Sequence, residues 1–327
     1  MNSSPSDPVT PPPPGPGPAS PSGPVTPSSA DRAAALRYHR TAQAAAAAVI
    51  NRYSTSFGLA CRVLGPSVRT HVRSVYALVR VADEIVDGAS AGAGVSAHDA
   101  RELLDGLEAE TLEVLERGFS TNLVVHAFGL AADYGGIAAD LITPFFASMR
   151  ADLGVDTHST ESLEDYVYGS AEVVGLMCLR LFLAEHPVSC QQEAALVSGA
   201  RRLGAAFQKV NFLRDLSEDY NSLGRVYLPG ADPRALTEAT KHEFLDEIDA
   251  DLAAARAVID DLPANGRTAV LIAHDLFAEL SVRLRKTPAA QLLTTRIRVP
   301  DARKMMLTTK AVASANRGRA TGRRLQA

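Results

Sequence analysis

Two stretches of this 327-residue chain set carboxylates four residues apart beside an arginine, each inside a segment that is otherwise apolar nearly all round. In YALVRVADEIVD, Arg80 precedes Asp83 and Asp87; in QKVNFLRDLSED, Arg214 precedes Asp215 and Asp219. On an α-helix, residues four apart lie one turn above each other, so each stretch brings like charges together on one face. Val75, Leu78, Val79, Ala82, Ile85 and Val86 surround the first pair; Leu203, Phe207, Val210, Phe212, Leu213 and Leu216 surround the second. One such stripe reads as a solvated face with an intrahelical Arg–Asp pair. Two of them, on helices apolar enough to be buried, fold stably only if a cation offsets the charge. The expected fold is therefore helices packed around a charged interior.

The stripes extend beyond the acids. Tyr76, Arg80, Asp83 and Asp87 run along one helix face, and Gln208, Asn211, Asp215 and Asp219 along another. Hard oxygen ligands of this kind suit Mg2+, with Mn2+ as a substitute; such an ion takes one or two carboxylates and fills its other positions with water and phosphate oxygens. Arg80, Arg214 and Arg225, the last in GRVYLP, add cations where a departing diphosphate would gather charge. No nucleophile–base triad is visible, so the chemistry expected is ionisation, with a carbocation held among aromatic rings and small residues. Gly169, Ser170, Ala171 and Gly175 keep one helix thin, for a close neighbouring helix or for a long prenyl chain.

The remainder of the chain agrees with an all-α fold. Apolar residues recur at three and four spacing over 68–86, 97–117, 163–183, 193–220, 241–262 and 267–284, and roughly ten helices are expected. Gly65-Pro66, 88–96, Gly135-Gly136, His186-Pro187, 228–233 and 263–266 break them. Residues 1–30 hold 11 of the 19 prolines and almost no large apolar side chains, which predicts a disordered Pro/Ser-rich tail ahead of one helical domain over 31–327. A formal charge of −4 removes the usual electrostatic basis for nucleic-acid binding. Three cysteines without C-x-x-C spacing read as reduced thiols. No signal peptide and no apolar run of spanning length is evident, so a cytoplasmic protein is expected, with membrane contact only peripheral.

Ser54-Thr55-Ser56-Phe57, YALVRVADEIVD, YVYGSAEVVGLM, GAAFQKVNFLRDLSED and GRVYLP follow one another in an order and spacing that resembles the squalene and phytoene synthases, most of all phytoene synthases of actinobacterial carotenoid pathways. The likeness covers about 45–310. It implies a single-domain isoprenoid synthase bundle with a central cavity. It also implies metal-binding roles for Asp83, Asp87, Asp215 and Asp219, with Asn211 in the second motif. Arg80, Arg214 and Arg296 match diphosphate contacts, Tyr76 and either Tyr166 or Tyr168 match tyrosines near the reacting carbons, and Ser54, Ser56 and Phe57 match a flap at the cavity mouth. The reaction implied joins two geranylgeranyl diphosphates through a cyclopropyl diphosphate to phytoene, with Mg2+ and no nicotinamide cofactor, and a carotenoid desaturase would consume the product. A thirty-carbon synthase acting on farnesyl diphosphate would show the same motifs. Non-catalytic assembly-factor relatives lack the acids that this chain keeps. Two departures stand out: Glu172 replaces a glycine near the implied cavity, and Glu84 stands where relatives carry a second aspartate.

Overall fold

A computed structural model describes residues 26–54, 56–154, 159–218 and 236–325. Every regular element among them is helical: α1 (Ser29–Tyr53), α2 (Ser56–Arg62), α3 (Pro66–Val86), α4 (Ala89–Gly92), α5 (Ala97–Arg117), α6 (Leu123–Gly135), α7 (Ala139–Ala151), α8 (Thr160–Val167), a π-helical turn (Tyr168–Glu172), α9 (Val173–Leu183), α10 (Cys190–Arg214), α11 (Leu216–Glu218), α12 (Glu238–Ile259), α13 (Arg267–Lys286), α14 (Ala289–Leu292) and α15 (Asp301–Leu325). The chain divides into two compact units at Tyr38/His39. In the first, Ser28 and Asp31 exchange hydrogen bonds that satisfy the free N–H groups opening α1. The tail expected over residues 1–30 lies outside the described residues up to residue 25. The site is built in the second unit.

Sequence punctuation sets the helix ends there. Pro66 occupies the first turn of α3, where its missing N–H costs nothing. Ser189 and Gln192 close α10 with a reciprocal capping box. Gly118 and Gly136 end α5 and α6 in the left-handed region, which glycine enters without penalty. One expected helix differs: the second acidic stretch does not run unbroken through residue 220. α10 stops at Arg214, and Asp215 caps it before the short α11.

The two largest apolar clusters among the described residues frame the site. Leu78, Leu104, Phe128, Ile142, Phe145, Phe146 and Met177 fill one, drawn from α3, α5, α6, α7 and α9. Val210, Leu213, Leu245, Ile248, Ile272 and Leu284 fill the other, from α10, α12 and α13. Between them α8, the π turn and α9 run as a shared wall. Gly169 lets this wall touch α7, since a Cβ there would lie 2.2 Å from the Pro144 carbonyl oxygen, and Gly175 does the same toward Ala200 of α10 at 2.8 Å. Close helix packing is thus what these two glycines serve. Residues 161–183 are, among the described residues, one stretch long and apolar enough to cross a membrane. The expectation of no such stretch is corrected, although its place between α7 and α10 is that of a core helix.

Candidate active site

A cavity of about 1130 Å³ opens between the two cores. α3 contributes Val72, Val75, Tyr76, Val79, Arg80, Asp83 and Asp87, a three-and-four spacing that puts one helix face on the cavity. α10 contributes a second such face, from Leu196 through Phe207, Gln208 and Asn211 to Arg214 and Asp215. Asp83, Asp87 and Asp215 therefore meet one cavity. Ser54, Phe57, Tyr166 and Arg296 line it as well.

Both sets of acids sit at helix C-termini, where aligned peptide dipoles already concentrate negative charge and where cations are the favoured neighbours. Asp87 caps α3, its N–H donating to the Asp83 carbonyl at 2.8 Å; Asp215 caps α10, its N–H donating to the Asn211 carbonyl at 2.9 Å. Burial pushes the Asp83 carboxyl up to about 7; Arg80 works against this shift and Asp87, Asp152 and Glu84 add to it. Its side chain is 36% accessible, and it lines the cavity.

The arginines are unequally engaged. Arg80 pairs tightly with Glu84 and stays 3.8 Å from Asp83, with its guanidinium 4.6 Å over the Tyr53 ring. Glu84, off the cavity wall, also accepts the Ala89 N–H at 2.9 Å, so it anchors an arginine and is not a further cavity carboxylate. On the opposite side, Arg214 Nε and Arg296 Nε lie 3.0 and 2.8 Å from Oδ1 of Asp215.

Three polar atoms on this wall are buried without a partner among the described residues: Asn211 Oδ1, Ser170 Oγ and Arg80 Nε. An acceptor and a donor left unpaired beside carboxylates fit a ligand that brings both a cation and anionic oxygens. Above them is an aromatic group. Phe207 stacks on Phe277 at 3.8 Å, and Phe57 lies 6.4 Å from Tyr76 and within 6.2 Å of both phenylalanines. Burial raises the Tyr76 phenol, partly offset by its hydrogen bond to Ser54.

Of the two alternative tyrosines, Tyr166 lines the cavity, whereas Tyr168 packs outside it beneath the Arg201 guanidinium. Glu172 also turns away and pairs with Arg201 at 2.6 Å, so it takes no cavity volume. Ser170, Ala171 and Gly175 line the wall; Gly169 does not. Asp219, Arg225 and the Ser56 side chain lie outside the described residues. Sequence reasoning missed Asp152, Phe277, Arg298 and Lys304, all on the wall. Each belongs to a segment without a repeated polar stripe, so nothing in its local pattern marks it. Cys61 and Cys178 line the cavity too, with burial pushing their thiols up to about 11 and about 12. Among the described residues, the grouping of His, Cys, Asp or Glu whose ligand atoms lie within 4.8 Å of one another is His98, Asp99 and Glu102, exposed on α5 and off the cavity.

The family model for squalene/phytoene synthase matches residues 50–303. A 15-cis-phytoene synthase of Paracoccus sp. is 28% identical over 257 residues, 72% of this chain and 80% of that protein. A bifunctional lycopene cyclase/phytoene synthase of Gibberella fujikuroi is 27% identical over 273 residues; the match takes in 74% of this chain but only 47% of that longer protein. Among solved structures, a dehydrosqualene synthase with bound ligand superposes with a TM-score of 0.71 at 24% identity, over 86% of this chain and 99% of its own. A squalene synthase from Alicyclobacillus acidocaldarius gives 0.65 at 20% identity, over 76% and 94%.

Proposed function

The chain belongs to the squalene/phytoene synthase family, a family of prenyltransferases, and on that premise we propose that it joins two geranylgeranyl diphosphates head to head, through a cyclopropyl diphosphate, to give phytoene and two diphosphates. The carrying observation is that both acidic helix ends and their arginines open into one cavity whose far part is apolar and aromatic. Its volume exceeds the ~300–1,000 Å³ of ordinary small-molecule pockets, as two substrates bound together require.

Asp83, Asp87, Asn211 and Asp215, with Asp219 beyond the described residues, are the donors that would hold Mg2+ or Mn2+. Bound there, the metal would supply Lewis-acid neutralisation of the diphosphate leaving group. Arg80, Arg214 and Arg296 hydrogen-bond the phosphoryl oxygens as negative charge develops, and Gln208 lies one turn deeper on the same face of α10. Phe57, Tyr76, Phe207 and Phe277 surround the ionised carbon with π faces, which stabilise a cation without trapping it covalently. Two protons leave, one as the cyclopropane closes and one as the final alkene forms, which completes the balance, so no hydride donor enters.

A thirty-carbon reaction on farnesyl diphosphate would use the same groups. The forty-carbon reading rests on the motif wording and on the phytoene synthase relatives. Exposed Tyr53 and Phe57 give the cavity mouth an apolar rim, which supports a cytoplasmic protein that touches the membrane surface to take up and hand over greasy chains, product passing to a carotenoid desaturase. Incubating purified protein with each prenyl diphosphate and Mg2+ and identifying the hydrocarbon tests the reading. Phytoene from the twenty-carbon substrate, with no change on adding a nicotinamide cofactor, is the expected result; a strong preference for farnesyl diphosphate would replace it with the thirty-carbon reaction.

A further inference from the structure

The cavity has a floor as well as a mouth. Leu64, Phe182, Leu196, Leu262 and Ala269 line it and belong to a third apolar cluster, in which each of them is buried. Leu196 and Arg214 lie on the same helix, α10, roughly 27 Å apart along its axis at about 1.5 Å per residue. The floor is therefore far from the acids, where the tail of a prenyl chain would end.

Phe182 is held there from behind. Its carbonyl accepts a hydrogen bond from Asn265 Nδ2 at 3.1 Å, and the Asn265 carbonyl accepts the Gly65 N–H at 2.8 Å. These bonds tie the end of α9 to the turns that precede α13 and α3. The Phe182 ring rests directly on Gly266: a Cβ on that glycine would lie 2.7 Å from Cγ and Cδ1 and 2.9 Å from Cδ2. Such an approach is too close for any carbon, so a side chain at 266 would displace the ring. The backbone does not call for glycine there, since φ −117° and ψ −30° lie in the right-handed region. What the position requires is the space. With the surrounding cluster close-packed and the backbone tied, the space open to a displaced ring is the cavity it already lines.

We propose that Gly266 is a positioning residue that sets the depth of the cavity: by carrying no side chain it lets the Phe182 ring lie back, and the room so gained admits the last isoprene unit of a twenty-carbon chain. The inference rests on the prenyl-diphosphate reading above and adds to it what fixes chain length. Gly266 is itself off the cavity wall and acts through Phe182.

Wild type, Gly266→Ala, Phe182→Leu and the double variant are given geranylgeranyl or farnesyl diphosphate with Mg2+, and kcat/KM is compared between the two substrates. Affinities for the two corresponding thiodiphosphates are measured by calorimetry, and melting temperatures are followed. Gly266→Ala should lower the twenty-to-fifteen-carbon ratio about 10-fold, by hurting the longer substrate. Adding Phe182→Leu should bring the ratio back to within about threefold of wild type, because the shorter side chain makes room for the new Cβ. A merely structural role would lower both substrates alike and would not respond to a smaller residue at 182. An unchanged ratio in Gly266→Ala would overturn the proposal, as would a double variant with a ratio no higher than that of Gly266→Ala. If Gly266→Ala melts too early to assay, Phe182→Trp decides: it fills the same floor directly, and an unchanged ratio in it overturns the proposal. A wild type that binds both thiodiphosphates but turns over neither diphosphate would remove the prenyl-transfer reading, while the ratio of affinities in Gly266→Ala would still decide this one.

Discussion

At the end of α3, Asp87 caps the helix over Asp83; at the end of α10, Asp215 caps it over Asn211. The backbone geometry is the same, with nearly the same hydrogen bond, yet the charge is held in opposite ways. Arg80 is drawn off by Glu84, leaving Asp83 with its carboxyl pushed up to about 7. Asp215 lies between Arg214 and Arg296, and its turn-mate is a neutral asparagine. One end gathers carboxylates that push the Asp83 carboxyl up, whereas the other sets its carboxylate between two guanidinium groups. Two similar sequence motifs can thus hold charge in different ways: on the function proposed above, the first end would be the one to recruit a metal, and the second would offer Arg214 and Arg296 to a diphosphate.

The largest effect that can break this comparison is on turnover. Asp83→Asn and Asp215→Asn should each lower it by roughly 10³-fold with the helical circular dichroism intact. Near-normal rates in either would remove the metal-site reading. Stability in the metal-free protein should then split the two ends, Asp83→Asn melting at or above wild type and Asp215→Asn a few degrees below, because the latter removes the charge that Arg214 and Arg296 both contact. Equal shifts of the same sign would show that both ends are compensated alike.

Acidity sharpens the same contrast. Asp83 binds its proton more tightly folded, at about 7, than unfolded, near 3.8. Between those values the native state holds more protons, so its contribution is fully present below about pH 4 and is lost as pH rises through about 7. Denaturant titrations of metal-free wild type and Asp83→Asn across this window should differ in slope, and Mg2+ with diphosphate should remove the difference.

Smaller still is the effect of Ala171→Phe on the cavity wall. Overpacking should cost roughly 1–3 kcal/mol and penalise the twenty-carbon substrate more than the fifteen-carbon one. Equal losses would place Ala171 away from the chain-length-sensitive part. The smallest expected change is none: removing residues 2–25 leaves the Ser28–Asp31 cap in place, so melting temperature and turnover should match wild type.

Helix periodicity and the two polar faces were legible in the sequence because both arise from local spacing. Continuity across Asp215 was not, since a four-residue spacing looks the same whether a helix runs on or is capped. The roles of Gly169 and Gly175 stayed open for a related reason: only a neighbour's carbonyl, from Pro144 or Ala200, decides between packing and cavity. Asp152 was invisible for the strongest reason, because its place on the wall depends on contacts from outside its own segment, among them the Tyr166 hydroxyl 14 residues away. Glu172 and Glu84 show the reverse, conspicuous in the motif and turned out of the cavity by Arg201 and Arg80.

The π-helical turn at Tyr168–Glu172 makes the wall sensitive to length as well as to residue identity. Such a turn carries one residue more than the surrounding helix would, so losing a single codon within it would restore an ordinary α-helix. Because the turn takes up its extra residue by underwinding, the helix on either side would keep its phase, and Tyr166, Val174 and Gly175 would go on facing the cavity. What the deletion would disturb is the bulge itself, where Gly169 meets the Pro144 carbonyl and Ser148 of α7. The wall would keep its cavity face and lose its fit against α7, the reverse of what a deletion in an ordinary helix does.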